Sequence, residues 1–343
     1  MKLTLKKNLL TATMLIGLYG TAVSAQDVLI VDTWGGSFRD LIDEAIATEF
    51  TARTGAKVEY VTGGTIDRLT KARLDPTAAS DITFTTSHVG WLYVNDGLFE
   101  ELDMSRLPNA ENLMEQAKIS PYHIGAWGYG YTIVYRPDML PEGITFESWE
   151  ELWNPDLKGM LAAPDFDPSH IIAVSALLSG AGPESWQEGQ DKLGLLKPNF
   201  GAFYSNDASS QQLIAAGETP VQVMLSMNAM HMISEGIPIV VANPREGMVL
   251  GVDTMAISAG SKNQDLAYEF INIALDPKVQ ARIAEIKHGS PVVEGAPVPK
   301  EIADSIAVMT TPEDWNNVIN IDPKLRAEKT AEWRQYFTEN IMN

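Results

Sequence analysis

The chain has 343 residues, no cysteine and a formal net charge of −20 at neutral pH. The missing cysteines exclude a disulfide framework, a thiolate metal site and a cysteine nucleophile. The acidic balance argues against nucleic acid or an anionic membrane as partner, and the length exceeds one ordinary hydrophobic core, which predicts two lobes.

Residues 1–25 read as a cleaved signal peptide: Lys2, Lys6 and Lys7 precede the apolar run "LLTATMLIGLYG", and "AVSA" closes at Ala25. The mature chain is then expected from Gln26, exported, with 22 basic against 45 acidic side chains. "DVLIVDTW" follows as a buried strand, ending in Trp34 and the Gly35–Gly36 pair, which leave the backbone open to close approach. Ser37 is expected to cap a helix that buries Phe38, Leu41, Ile42, Ala45, Ile46 and Phe50 and stops at Gly55. "KVEYVTG" and "SDITFTTS" are further strands, with the short helix "TIDRLTKARL" between them, and this alternation predicts a parallel sheet.

"GAWGYGYTIVY" is Gly- and aromatic-rich and then strand-like, which suits a crossing between lobes. "ITFESWEELWNPDLKGMLAAPDF" is read as helix, turn and strand, and two more helix–strand units follow. "EGMVLGVDTMAIS" is the return strand, and amphipathic helices and a polar helical tail complete the chain.

Taken in order, the tryptophan after the first strand, "SDITFTTSHVGWLYVNDGLFEELD", "ITFESWEELWNPDLKGML", "LIAAGETPVQVML", "EGMVLGVDTMAISAGSKNQDLAYEFIN" and "GSPV" resemble the periplasmic solute-binding proteins of ABC importers, in the spermidine/putrescine branch. The resemblance implies an α/β, type II, two-lobe fold. Each lobe would be a mixed, mostly parallel sheet flanked by helices, with the ligand cleft between them. It places lobe 1 at 26–130 plus 253–293 and lobe 2 at 131–252 plus 294–343, with crossings near 130–135 and 247–253. It also implies a periplasmic, monomeric, non-enzymatic receptor that hands a small molecule to permease subunits without a cofactor.

Candidate ligand-binding residues follow from chemistry and resemblance together. Trp34 stands at the carboxyl end of a strand, where an indole can cover an ammonium or an alkyl chain. Asp253 matches the aspartate with which polyamine receptors hold an amine. Thr85, Thr86, Ser87 and His88 mark a strand-to-helix junction, where hydroxyls and free N–H groups hold oxygens or simply cap the helix. Ser209 and Ser210 mark another helix start. In the family's acidic-pair region this chain reads "PDFDPSHI", with Asp165 in rough register and Asp167 displaced. Two tryptophans of the receptor's aromatic box correspond to Leu225 and Gly251, so a long diamine is less favoured than a smaller amine such as an amino acid or ω-amino acid. Arg39, Arg68, Arg73 and above all Arg245 are the guanidinium candidates for a carboxylate.

Competing readings are an exported hydrolase or lyase using Asp165 and Asp167, or an iron or copper receptor. Nucleophile-elbow, P-loop, dinucleotide and zinc-protease signatures are absent, and no Tyr-Tyr pair offers a ferric site. The cluster Met224, Met227, Met230, His231 and Met232 carries copper-like ligands, but methionines at helical spacing usually fill a core.

Overall fold

A computed structural model describes residues 27–76 and 80–343; the expected signal peptide lies outside the described residues. The chain opens with β1 (Val28–Thr33), then a helix in three parts: α1 (Ser37–Ile42), a π-helical turn (Asp43–Ala47) and α2 (Thr48–Thr54). Gly55 ends it in the left-handed conformation at φ 77° as expected. The expected Ser37 cap does not form; Gly36, at φ 61°, occupies the capping position and the first-turn N–H groups receive no side chain. Leu41, Ile42, Ile46 and Phe50 are all fully buried, each stabilising the fold by about 1.5–3 kcal/mol.

The remaining elements of the first half are β2 (Lys57–Thr62), α3 (Thr65–Leu74), β3 (Ile82–Thr86) and α4 (Ser87–Asn95). Next come the long β4 (Ile124–Tyr135), β5 (Leu161–Pro164), α5 (Ser169–Leu178), α6 (Gln190–Leu196) and β6 (Phe200–Tyr204). They are followed by α7 (Asp207–Ala216), β7 (Val221–Leu225), α8 (Ser226–Ser234), β8 (Val240–Val241) and the long β9 (Met248–Ile257). The chain closes with α9 (Gln264–Ala274), α10 (Pro277–Lys287), α11 (Lys300–Ala303), α12 (Pro312–Asn316), β10 (Val318–Ile319) and α13 (Pro323–Phe337).

The strand order is β2-β1-β3-β9-β4-β7-β5-β6, with β10 on β9 and β8 on β4. β1 is parallel to β2 and β3, and β5 is parallel to β6 and β7, as the alternating strand–helix pattern predicts. Between these groups β4 and β9 run antiparallel to each other and to β7 and β3, while the short β10 lies parallel to β9. β9 pairs β3 along its C-terminal half and β4 along most of its length, while the C-terminal half of β4 pairs β7. Two strands are therefore common to both ends of the sheet.

One expected α-helix is reduced to a single 3-10 turn, Trp149–Trp153. A capping box at Ser148 and the cap at Asn154, followed by Pro155, leave only five residues between them, too few for a stable α-helix. The methionine cluster is core. Met224 and Met232 pack with Val134, Ile214 and Ile239, Met227 joins the main core, and His231 is exposed. Among the described residues no group of three His, Cys, Asp or Glu is placed to hold a metal ion. None of their helices is long and apolar enough to cross a membrane.

Candidate functional site

The sheet register builds a polar row across three strands. Asp253 on β9 pairs with Thr86 at the end of β3 and with Trp127 on β4. Directly opposed residues of antiparallel strands project to the same side, so hydroxyl, carboxyl and indole share one face. Thr86 occupies the capping position of α4 but makes no capping bond, and its Oγ1 is buried without a partner. The capping alternative for Thr86 therefore does not hold. Ser87 does no capping either; it is buried, and its carbonyl accepts from His123 Nε2 at 3.0 Å.

Asp253 is 4% exposed. Tyr129 Oη donates to its Oδ1 over 3.3 Å, and the Trp127 indole N–H lies close enough to favour ionisation without completing a hydrogen bond. Burial nevertheless dominates and, with the negative Asp207 nearby, pushes the carboxyl up to about 8. At pH 7 this carboxyl is thus mostly neutral.

Aromatic rings line this face from β4 rather than from the positions read as lost. Gly251 opposes Tyr129, and a Cβ there would fall 1.9 Å from the Tyr129 ring, so the glycine makes room for the phenol that bonds Asp253. Leu225 likewise opposes Tyr131. The rings of Tyr129 and Tyr131 stand 6.2 Å apart, and Tyr131 stacks on His170 at 3.7 Å. On the other side Phe38 stacks on Trp127 at 6.5 Å and meets Trp34 at 5.7 Å.

Asp167 is buried and already paired. Arg326, on α13, donates from Nη2 to its Oδ2 at 2.6 Å and to His170 Nε2 at 2.8 Å, while the Ser169 N–H donates to Oδ1 at 3.1 Å. Because Arg326 can only donate, His170 Nε2 accepts and its Nδ1–H donates to the Asp167 carbonyl at 3.1 Å. Burial opposes ionisation of Asp167, but Arg326 and the neighbouring histidines hold it well below the usual carboxylate range. Burial, helped by Arg326, pushes His88 and His170 down to about 3, so both are neutral. His88 Nε2 stands 3.6 Å from Asp167 Oδ2, too far for a hydrogen bond, and its Nδ1 has no partner. Asp165 is half-buried, its N–H donating to the Tyr204 carbonyl. An acid/base pair of Asp165 and Asp167 has no support here, since both Asp167 oxygens are already taken by Arg326 and the Ser169 N–H.

Trp34 is half-buried, and its Nε1 donates to Thr65 Oγ1 at 2.8 Å. Arg68 lies over the Trp34 ring at 5.2 Å and pairs with Asp32 at 3.1 Å, so it is a buried scaffold residue. Gly35 and Gly36 are exposed beside Trp34, and nothing crowds them closer than Thr62 Cβ, 3.9 Å from a Cβ at Gly35. Ser209 is occupied in a capping box with Asn206, and Ser210 Oγ donates to Gln222 Oε1. Arg39 and Arg73 pair with Asp40 and Asp96 at the surface. Arg245 is exposed, next to Glu246 and before β9 begins.

A family model for bacterial extracellular solute-binding proteins matches residues 45–310. The chain belongs to that family. Among its relatives, the spermidine/putrescine-binding periplasmic protein of Escherichia coli K12 is 25% identical over 311 residues, covering 87% of this chain and 85% of that protein. The gamma-aminobutyric acid-binding protein of Pseudomonas aeruginosa is 24% identical over 347 residues, covering 94% of each. A solved ABC transporter structure from Clostridium perfringens superposes with a TM-score of 0.79 at 28% identity, covering 91% of this chain and 99% of that one. The fold is thus the type II α/β architecture that the resemblance implied, and the homologues are binding proteins rather than enzymes.

In this solute-binding protein several groups facing the site escape a reading of the sequence. Tyr129 could have been found from its position two residues beyond Trp127 on one strand face. Arg326 sits in "DPKLRAEKTAEW", among charges that look alike. Lys287 at the end of α10, Asp207 at the head of α7 and Asn228 on α8 reach the site only through the tertiary path.

Proposed function

We propose that this solute-binding protein captures a small solute carrying at least one ammonium, closes on it, and passes it to the permease subunits of an ABC importer. The observation that carries this reading is the Asp253 carboxyl, buried beside aromatic rings and lacking a cationic partner within ion-pair distance among the described residues. Such a carboxyl is costly to ionise alone and is stabilised by a desolvated ammonium. Thr86, Trp34 and the β4 aromatics supply an acceptor hydroxyl and apolar walls. The receptor works as an exported, periplasmic monomer, and polyamines and amino acids or ω-amino acids are the ligand classes. The ligands for which its relatives are named, spermidine, putrescine and gamma-aminobutyric acid, support an amine-bearing solute.

The lobes are residues 26–130 with 253–293 and residues 131–252 with 294–343, hinged where β4 and β9 cross. The sheet order supports this division, because those two strands alone join the two parallel groups. α13 packs against both α4 and α5, one from each proposed lobe. Ligand is therefore expected to compact the protein in solution. Scattering profiles that coincide with and without saturating ligand would refute the clamp.

A thermal-shift screen over polyamines, amino acids, betaines, phosphonates and sugars tests the ligand class. A true ligand at a hundredfold excess over Kd adds about 2.7 kcal/mol of stability; a response confined to sugars or ferric iron overturns the reading. Protons give a second check. With Asp253 near 8 when empty, binding a protonated amine at pH 7 forces the carboxyl to ionise and release close to one proton. Affinity should rise about tenfold per pH unit below 8 and level off above it. Calorimetry in buffers of different ionisation enthalpy reads the proton directly, and an enthalpy independent of buffer refutes the coupling.

A further inference from the structure

Beyond the amine anchor, the site contains an ammonium of its own. Lys287 is the last residue of α10 and only 8% exposed. His288 follows in the left-handed conformation at φ 56°, turning the chain sharply away. The Lys287 Nζ lies 5.5 Å from the centre of the Phe38 ring. Phe38 stacks on Trp127 at an interplanar angle of 14°, and Trp127 stands opposite Asp253. One continuous aromatic surface thus joins the buried lysine to the buried aspartate.

Among the described residues Lys287 Nζ has neither a hydrogen-bond acceptor nor an ion-pair partner within 4 Å. The carboxylate that influences it, Asp207 on α7, acts at longer range. Asn228 is 3% exposed, and its Nδ2 lies close enough to Asp207 to favour that carboxylate without completing a hydrogen bond. Lysines are favoured at helix C-termini by the helix dipole, but that preference needs no burial. An ammonium largely shielded from water and without a protein acceptor is costly, and an aromatic face compensates only in part. Burial raises the Asp207 carboxyl toward its neutral form, so an arriving carboxylate gives Lys287 and the Asn228 amide an ionised acceptor, whereas a second ammonium meets the Lys287 charge in a site of low dielectric.

We propose that Lys287 makes this receptor select zwitterions over diamines: the ligand's ammonium pairs with Asp253 and its carboxylate with Lys287 and the Asn228 amide, the alkyl chain lying along Phe38 and Trp127. The proposal rests on the amine reading of Asp253 and narrows it to amino acids whose two charged ends are separated by a few methylenes.

Three probes share a four-carbon chain and differ at the far end: 4-aminobutyrate, n-butylamine and putrescine. By calorimetry the wild-type protein should bind 4-aminobutyrate at least tenfold tighter than butylamine, and putrescine most weakly. Lys287→Met keeps the apolar stem, loses no hydrogen bond and removes a costly charge, so it should melt at or above wild type. It should bring 4-aminobutyrate down to the level of butylamine and raise putrescine affinity tenfold or more. Lys287→Glu should go further and prefer putrescine to 4-aminobutyrate. Unchanged ratios among the three probes in Lys287→Met, or a wild-type preference for putrescine, overturn the proposal. Failure of the underlying amine reading looks different: Asp253→Asn then binds all three probes as tightly as wild type, or none of them binds the wild-type protein at millimolar concentration.

Discussion

Asp253→Asn is expected to weaken binding of an ammonium-bearing ligand by tens to thousands of fold, about 2–5 kcal/mol, while leaving the empty protein at least as stable as wild type. The substitution keeps the shape and one acceptor for Tyr129 but removes the charge that a desolvated cation needs. Its effect on the empty protein follows from the direction of the shift. Asp253 titrates near 8 when folded against an ordinary 3.8. Between those values the folded state holds a proton that the unfolded chain has released. Its stabilising contribution is therefore complete below about pH 4 and declines as pH rises toward 8. At pH 7 the loss is at most about 4 kcal/mol. Asparagine has no such titration, so the variant should melt above wild type at pH 8 and alongside it at pH 4. If the variant instead melts lower at every pH and binds undiminished, Asp253 is a structural brace.

Arg326→Met should be the most destabilising single change in the site. It strips Asp167 of the guanidinium that holds it ionised and leaves a buried charge with little beyond the Ser169 N–H. Breaking a buried pair from one side costs about 3–5 kcal/mol, a fall in melting temperature on the order of 10 °C for a chain of this size. Asp167 is the reverse of Asp253, since Arg326 depresses its pKa when folded. The pair's contribution is present above the ordinary carboxylate value near 4 and is lost only as pH falls through the much lower folded value. Without Arg326, burial raises the Asp167 carboxyl instead, so the variant's deficit should be largest at neutral pH and shrink as acid protonates Asp167. Adding Asp167→Asn should restore most of the lost stability, because an amide needs no counter-charge. Losses that simply add in the double variant would falsify the pairing as the source.

The sequence makes the strand–helix alternation readable because apolar runs and glycine stops are local signals. Asp253 and Thr86 are readable as well, since a carboxyl in an apolar strand and hydroxyls at a strand end both stand out. What escapes is set by register and by long-range packing. The phenol facing Asp253 comes from β4, and it fits only because position 251, on another strand, is glycine. Arg245 looks well placed by its nearness to a crossing, yet β9 carries the chain away from it. Arg326 comes from a helix more than seventy residues further along, in a tail whose charges resemble a solvated face. Ser209 shows the opposite error: a hydroxyl at a helix start can be consumed wholly by its own cap.

The helix that starts at Ser37 carries one wide turn, Asp43–Ala47, in which the chain advances less than a regular step per residue. Phe50 beyond that turn meets Phe270 in the lobe's interior, while Phe38 before it meets Trp34, Trp127 and the Lys287 ammonium. The turn works as a phase shifter, offsetting one end of the helix from the other by part of a revolution. A uniform helix fixes both faces with a single periodicity, so any adjustment at one end is transmitted to the other. Here the aromatic face around Trp127 and the wedge driven into the interior are set separately.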